Sequence, residues 1–352
     1  MLKVLAAEQP LSPPAHPSAA QARDGFEREN AAGIALVSPV RNYRDDSHKP
    51  ELVVALSKFE ALAGFRDARR TAELLTALGV AELDPYVEQL AEHPNSSGVR
   101  ALFTQWMSVG SPDVTLITDV LDGCEPYLSA QPHGTAGEFA AEVQTALDLG
   151  RRYPGDPGVL ASLLLNRVSL EPGEGLHLAA GNLHAYLRGT AVEIMANSDN
   201  VLRGGLTPKH VDLPELLRVL DFDPLEVPML RPAANGLDGT LVYETAAPEF
   251  QLTRVELDKS GPHGPDAISI EVDGPQILVC TAGSAVASSG LEKFNLRQGQ
   301  AVWISASDPA ISLQAEKIKR RSLWPLSESV LVGYHSEGLR EGNPQGTEQE
   351  AV

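Results

Sequence analysis

Leu170, Gly173, Leu176, Leu178 and Ala180 stand at the same spacing as Leu296, Gly299, Val302, Ile304 and Ala306. Apolar residues two apart after a glycine describe a tight turn feeding a strand with one buried face, and a pattern that returns describes two copies of one β unit. In the first copy, Val168 and Leu170 precede Pro172-Gly173-Glu174 and Leu176 and Leu178 follow it, which predicts a hairpin within an all-β sandwich or jelly roll. Alternation resumes over Ala267–Val272 and Gln276–Cys280. The copies part at one chemically telling position. Fourteen residues after Leu170 comes His184, whereas fourteen after Leu296 comes Ala310, so the first copy can offer an imidazole to a metal and the second cannot.

Between Phe59 and about Gly150 the pattern is helical. Asp67 is placed to cap a helix carrying Leu74, Leu75 and Leu78 and stopping at Gly79. Thr135 and Glu138 have capping-box spacing before Phe139, Val143, Ala146 and Leu147, with Gly150 read as the end of that helix. Trp106 and Phe103 read as core, since nothing ionisable accompanies them at helical spacing. The Pro-rich stretch from Asp223 to Asn235 reads as a linker. The resulting division is a β unit from 1–58 and 156–222, a helical insertion over 59–155, a second β unit over 236–335 and a polar, disordered tail over 336–352. The fold class expected is mainly β with an α insertion.

A formal charge of -19 over 352 residues, with no basic block, argues against nucleic acid, whose binding needs Lys and Arg against phosphates. Only Cys124 and Cys280 are present, which excludes a disulfide framework and a cysteine-based zinc site and favours a reducing, cytoplasmic setting. The apolar run Val4–Ala7 is too short for a signal peptide, and no segment reaches the ~18 to 20 apolar residues that span a bilayer. No GxGxxG or P-loop pattern occurs, so no nucleotide cofactor is expected.

The chemistry gathers in HAYLRG, His184 to Gly189, and VEIMANSDNVLRGGLTPKHVD, Val192 to Asp212. Asn197, Ser198, Asp199 and Asn200 in succession favour a turn, because short polar side chains bond their own backbone. The run therefore predicts a loop that holds Arg203 and Lys209 in place. In so acidic a chain, an anionic ligand requires local positive charge, for which Arg203, Lys209 and Lys49 are candidates.

These stretches, together with LKVLAAEQPLS followed by AHPS and with RNYRDDSHKPEL at Arg41 to Leu52, closely resemble the motifs of type I phosphomannose isomerases. The resemblance extends over the chain to about Leu217, and beyond it only in pattern. It implies two cupin-like jelly rolls and a zinc-dependent interconversion of mannose 6-phosphate and fructose 6-phosphate through an enediol(ate). It implies a place in carbohydrate metabolism and GDP-mannose biosynthesis. Matched residue by residue, it implies His16, Glu51 and His184 as ligands of one Zn2+, Arg203 as catalytic residue, and Ser12, Lys49, Tyr186, Glu193 and Lys209 as substrate contacts. Two His and a carboxylate form a known catalytic zinc set. His48 is left as a structural or supporting residue. The expected partner is a small-molecule sugar phosphate, with neither nucleic acid nor membrane, bound by a monomer.

Two departures from the family pattern stand out. Pro14 occupies the place of a ligand Gln, two residues before His16, so a fourth protein ligand is missing and weaker metal affinity is expected. Lacking an N–H, Pro14 is also expected to disturb the strand that presents His16. Family members carry a segment before the LKVL strand, while Met1 here stands almost at it, which predicts an N-terminally short first jelly roll. The alternatives are a non-catalytic or weakened sugar-phosphate or metal-binding remnant and, behind it, a cupin oxygenase using iron on the same residues.

Overall fold

The computed structural model describes residues 1–108, 114–130, 137–227, 229–234, 239–257, 266–271, 274–315 and 328–335. The chain divides after Pro232 into two compact units. The first is built on seven strands: β1 (Leu2–Ala7), β3 (Glu51–Ala55), β4 (Phe59–Phe65), β5 (Leu165–Leu170), β6 (Gly175–Leu178), β7 (His184–Met195) and β9 (Met229–Leu230). They run in the order β5-β4-β7-β3-β6-β9, with β1 also on β7. A smaller bridge joins β2 (Pro14–Ala15) to β8 (Leu202–Arg203).

Strand β7 is long enough to serve two neighbours in turn, pairing β4 through His184–Arg188 and β3 through Ala191–Met195. It bends at Gly189, whose φ is 120°. A Cβ there would stand 2.5 Å from the Lys58 carbonyl oxygen, so the bend needs glycine. The interior of this β layer is lined by Val53, Ala55, Phe59, Leu170, Leu176 and Tyr186.

The helices are α1 (Ala19–Ala31), α2 (Ala68–Ala77), α3 (Asp84–Glu92), α4 (Ser96–Ser108), α5 (Val114–Ser129), α6 (Ala140–Arg152), α7 (Gly158–Ser162) and α8 (Leu213–Val219). Asp67 caps α2 by accepting from the amides of Arg69 and Arg70, as its position predicts. Leu74, Leu75, Trp106 and Phe103 are buried in the core these helices share with the ends of β4, β5 and β7. No described helix is long and apolar enough to cross a membrane.

The structure corrects several expectations. Phe59–Phe65 is a central strand rather than the start of the helical block, which begins at Ala68; its residues are nearly all buried, and a short run buried on both faces carries no period that separates strand from helix. Gly150 does not end α6, which continues to Arg152. It is a close-packing position instead, since a Cβ there would lie 2.4 Å from Leu121 Cδ1. Thr135 lies outside the described residues, and the N-cap of α6 is Phe139, with no side-chain cap bond. The strands flanking Pro172-Gly173-Glu174 do not pair with each other: β5 pairs β4 and β6 pairs β3. A tight turn records that the chain reverses, not which neighbour each strand takes. The Pro-rich stretch contains the unit boundary, but its Met229–Leu230 pairs with β6 and Arg231 bonds Glu174 at 3.0 Å. Asn235 and the 336–352 tail lie outside the described residues.

The second unit holds β10 (Ala233–Ala234), β11 (Thr240–Tyr243), β12 (Phe250–Leu257), β13 (Ala267–Ile270), β14 (Gln276–Ala282), β15 (Ser284–Ser289), β16 (Glu292–Arg297), β17 (Ala301–Ile304), β18 (Ile311–Ala315) and β19 (Glu328–His335). They form one sheet in the order β10-β11-β12-β19-β14-β17 and another in the order β13-β18-β15-β16. Their inner faces enclose Val255, Leu278, Leu296, Ile304 and Leu313.

The repeated spacing is a repeated structure. Gly173 donates to Ala55 O at 2.8 Å and Ala55 donates to Glu174 O at 2.9 Å, while Gly299 donates to Cys280 O at 2.8 Å and Cys280 donates to Gln300 O at 3.0 Å. Both glycines have positive φ. Leu178 pairs with Glu51 as Ile304 pairs with Gln276, so Gln276 holds in the second unit the place of Glu51 in the first.

Candidate functional site

His16, Glu51 and His184 come from three separate segments and converge, all buried, with ligand atoms within 4.8 Å of one another. Glu51 opens β3 and His184 opens β7. His16 follows β2 directly, and α1 begins just beyond it under a capping box in which Ser18 Oγ accepts from Gln21 N and Gln21 Oε1 accepts from Ser18 N. The His16 carbonyl accepts from Gly181 N at 2.9 Å, which ties this segment to the turn before His184.

Each imidazole is held through Nδ1: His16 donates to Asn200 O at 2.7 Å and His184 to Asn182 O at 3.0 Å. A carbonyl only accepts, so Nδ1 carries the proton and Nε2 is left as a bare lone pair. Those Nε2 atoms face the two oxygens of Glu51, each at 3.3 Å. Groups that can only accept repel at this distance unless a cation lies among them or each ring takes a second proton. Burial alone would raise the Glu51 carboxyl, but the two imidazoles beside it, which favour its ionised form when they carry a second proton, outweigh burial and hold it well below the usual carboxylate range. The donor set is nitrogen and oxygen, converging and already oriented by backbone carbonyls behind it, which fits zinc.

Around this set the candidate residues fall at different depths. Lys49 Nζ lies 3.2 Å from Glu51 Oε1. Tyr186 is buried, its ring against that of His184 with centroids 5.8 Å apart. Its hydroxyl donates to Glu193 Oε1 at 2.6 Å, and burial followed by the Glu193 charge pushes the phenol well above its ordinary value. Glu193 is itself buried, with Lys3 Nζ 2.5 Å from its other oxygen. Ser12 sits half-buried between Leu11, whose amide donates to Tyr186 O, and β2. Arg203 is half-buried on β8, opposite Pro14. Burial, and then the neighbouring charge of Arg44, lower its guanidinium below the ordinary arginine value. Lys209 is exposed on the turn that follows, its amide bonded to Thr207 Oγ1. His48 is partly exposed and stands outside the three-residue cluster.

Pro14 does not break its strand. Gly204 donates to Pro13 O at 2.8 Å, so Pro14 and Arg203 form a pair whose own N–H groups point away from the partner, and the missing N–H of Pro14 removes no ladder bond. Pro14 stands two residues before His16, on the short strand that leads directly into it.

Sequence reasoning missed Lys3, although its place opposite Glu193 in the β1–β7 register would have followed from the pairing. It also missed Asn182 and Asn200, which hold the imidazoles through main-chain carbonyls; every residue has one, so no side-chain pattern reveals them. In the second unit, Gln276 is fully buried, donates to Glu271 O at 2.9 Å, and brings no charge to the position of Glu51.

Residues 1–68 match the family described as phosphomannose isomerase type I, catalytic domain. The mannose-6-phosphate isomerase of Escherichia coli (strain K12) is 33% identical over 317 residues, covering 89% of this chain and 76% of the relative. The mannose-6-phosphate isomerase of Homo sapiens is 29% identical over 337 residues, covering 91% and 75%. A crystal structure of zinc-bound mannose 6-phosphate isomerase superposes with a TM-score of 0.79 at 32% identity, over 95% of this chain and 78% of that one. A variant of phosphomannose isomerase from Salmonella typhimurium gives a TM-score of 0.80 at 32% identity with the same coverage.

Proposed function

Because the chain belongs to the type I phosphomannose isomerase family, we propose that it interconverts mannose 6-phosphate and fructose 6-phosphate, with His16, Glu51 and His184 holding the zinc ion it needs. The observation that carries this reading is the convergence of two imidazole Nε2 atoms on one buried carboxylate, with both Nδ1 atoms engaged by backbone carbonyls behind them, an arrangement that fits a bound cation. At the matching place the second unit carries the neutral, fully buried Gln276, which supports reading the first unit as the metal-binding one. Two buried thiols, Cys124 and Cys280, neither joined in a disulfide, support a cytoplasmic setting.

Aldose–ketose isomerisation moves a proton between C2 and C1 through an enediol(ate), and the weak acidity of the C2 proton is the obstacle. Bound by the three ligands, zinc would supply a positive charge that stabilises the negative charge developing on the substrate oxygens. The imidazoles keep their Nε2 atoms aimed inward because their Nδ1 protons are engaged behind them. Arg203, always charged and planar, is assigned to the developing enediolate, which it can meet with paired hydrogen bonds. Ser12, Lys49 and Lys209 are assigned to substrate contacts. Tyr186 is assigned to the wall of the site, since Glu193 already holds its hydroxyl, and Lys3 balances the buried charge of Glu193.

Metal analysis of the purified chain, joined to a mannose 6-phosphate turnover assay, tests this reading. One zinc per chain is expected, with turnover that stops on chelation and returns with zinc. Zinc without turnover would favour a binding remnant, and iron-dependent oxidation would favour an oxygenase.

A further inference from the structure

Asn200 is fully buried in the loop between β7 and β8, and its polar atoms tie three segments of the site together. Its carboxamide oxygen accepts from the amides of Arg44 at 2.6 Å and Asp45 at 3.2 Å. Its side-chain nitrogen donates to the carbonyls of Asp45 at 2.8 Å and Ser47 at 2.9 Å. Its own carbonyl holds His16. A carboxamide bonded at both ends to the main chain of another segment fixes that segment's backbone whatever side chains it bears. Asp45 reinforces the junction, accepting from Ser198 Oγ and Asp199 N at 2.8 Å each. The segment so fixed starts at Arg44 and runs into Lys49 and Glu51.

Arg44 is exposed, and Arg203, three residues beyond Asn200, is half-buried. Asn200 bonds the backbone that carries Arg44 and lies in the loop that leads directly into Arg203, so the two cations stand at one junction, with the charge of Arg44 felt at Arg203, and among the described residues neither has a carboxylate within salt-bridge distance. In a chain of net charge -19, two guanidiniums at one junction but at different depths, neither held by a salt bridge, can meet an anionic substrate at two points along its length. A hexose 6-phosphate carries a dianion at one end and its reacting carbons at the other. We propose that Asn200 is a positioning residue that sets Arg44 beside Arg203, so that Arg44 grips the phosphate of the substrate while Arg203 serves its reacting end. This assignment rests on the hexose 6-phosphate reading above.

A double-mutant cycle on the zinc-loaded protein tests it, with kcat and KM for mannose 6-phosphate and competitive inhibition by inorganic phosphate measured for each variant. Turnover by the unaltered protein checks the underlying reading independently. Arg44→Ala should raise KM and the phosphate inhibition constant about tenfold or more, the scale of one charge-assisted hydrogen bond, while kcat stays within a few-fold. Arg44→Lys should recover part of the loss. Asn200→Ala should raise the same two constants, and the double variant should be no worse than Asn200→Ala, because an Arg44 no longer held contributes little. Arg44 is exposed, so its variants report even if Asn200→Ala folds poorly. Unchanged KM and phosphate inhibition in Arg44→Ala, or losses that multiply in the double variant, would overturn the proposal.

Discussion

The two β units share a scaffold down to individual backbone hydrogen bonds and differ in what they place at its end. In the first, the strand beyond the Gly173 turn pairs with Glu51; in the second, the strand beyond the Gly299 turn pairs with Gln276. One position offers a carboxylate flanked by His16 and His184, the other a neutral amide that donates to the Glu271 carbonyl, with Ala310 at the repeat position of His184. A buried carboxylate is tolerated only where charge of the opposite sign meets it. The scaffold therefore permits a metal site without specifying one, and the specification lies in a few side chains and the carbonyls behind them.

The largest effect expected short of removing a ligand is on catalysis confined to the first unit. Arg203→Ala should lower turnover by ~10² or more with little change in melting temperature, the scale for losing a charged transition-state stabiliser. Turnover within a few-fold of the unaltered protein would move that role elsewhere. The next effect probes the second unit. Gln276→Glu puts a carboxylate at a fully buried position without imidazoles around it and should cost about 3 kcal/mol of stability at neutral pH. Burial raises such a carboxyl above its unfolded value, so the penalty should shrink as pH falls and the group takes up its proton. Thermal unfolding at several pH values measures it, and a pH-independent loss would point to packing instead of charge. The smallest effect concerns Pro14, two residues before His16 on the strand that leads into it. Pro14→Gln should tighten zinc binding several-fold without disturbing the β2–β8 bridge, because the N–H regained at position 14 points away from β8. An unchanged affinity in a zinc titration would show that position 14 is no vacant ligand site.

Much of this contrast was legible in the sequence. The repeat announced two related β units, the offset between His184 and Ala310 raised the expectation that their chemistry differs, and the motif resemblance selected His16, Glu51 and His184, which the fold brings together from chain positions far apart. Local signals with a local cause were also readable, such as the cap of α2 by Asp67. What escaped was set by partners. Phe59–Phe65 carries no period because it is buried on both faces, and β5 and β6 take separate neighbours that no turn sequence names. Gly150 resembles a helix stop but answers to the close approach of Leu121. The role of Asn200 depends on main-chain atoms of Arg44, Asp45 and Ser47, more than 150 residues away in the chain.

The central claim, that the first unit alone is a metal centre and that Glu51 is the residue separating it from its counterpart, is tested most directly by metal stoichiometry. Elemental analysis of the unaltered protein and of Glu51→Gln, which gives the first unit the residue of the second, should find one zinc per chain in the former and none in the latter. One zinc per chain in Glu51→Gln, or two in the unaltered protein, would contradict it.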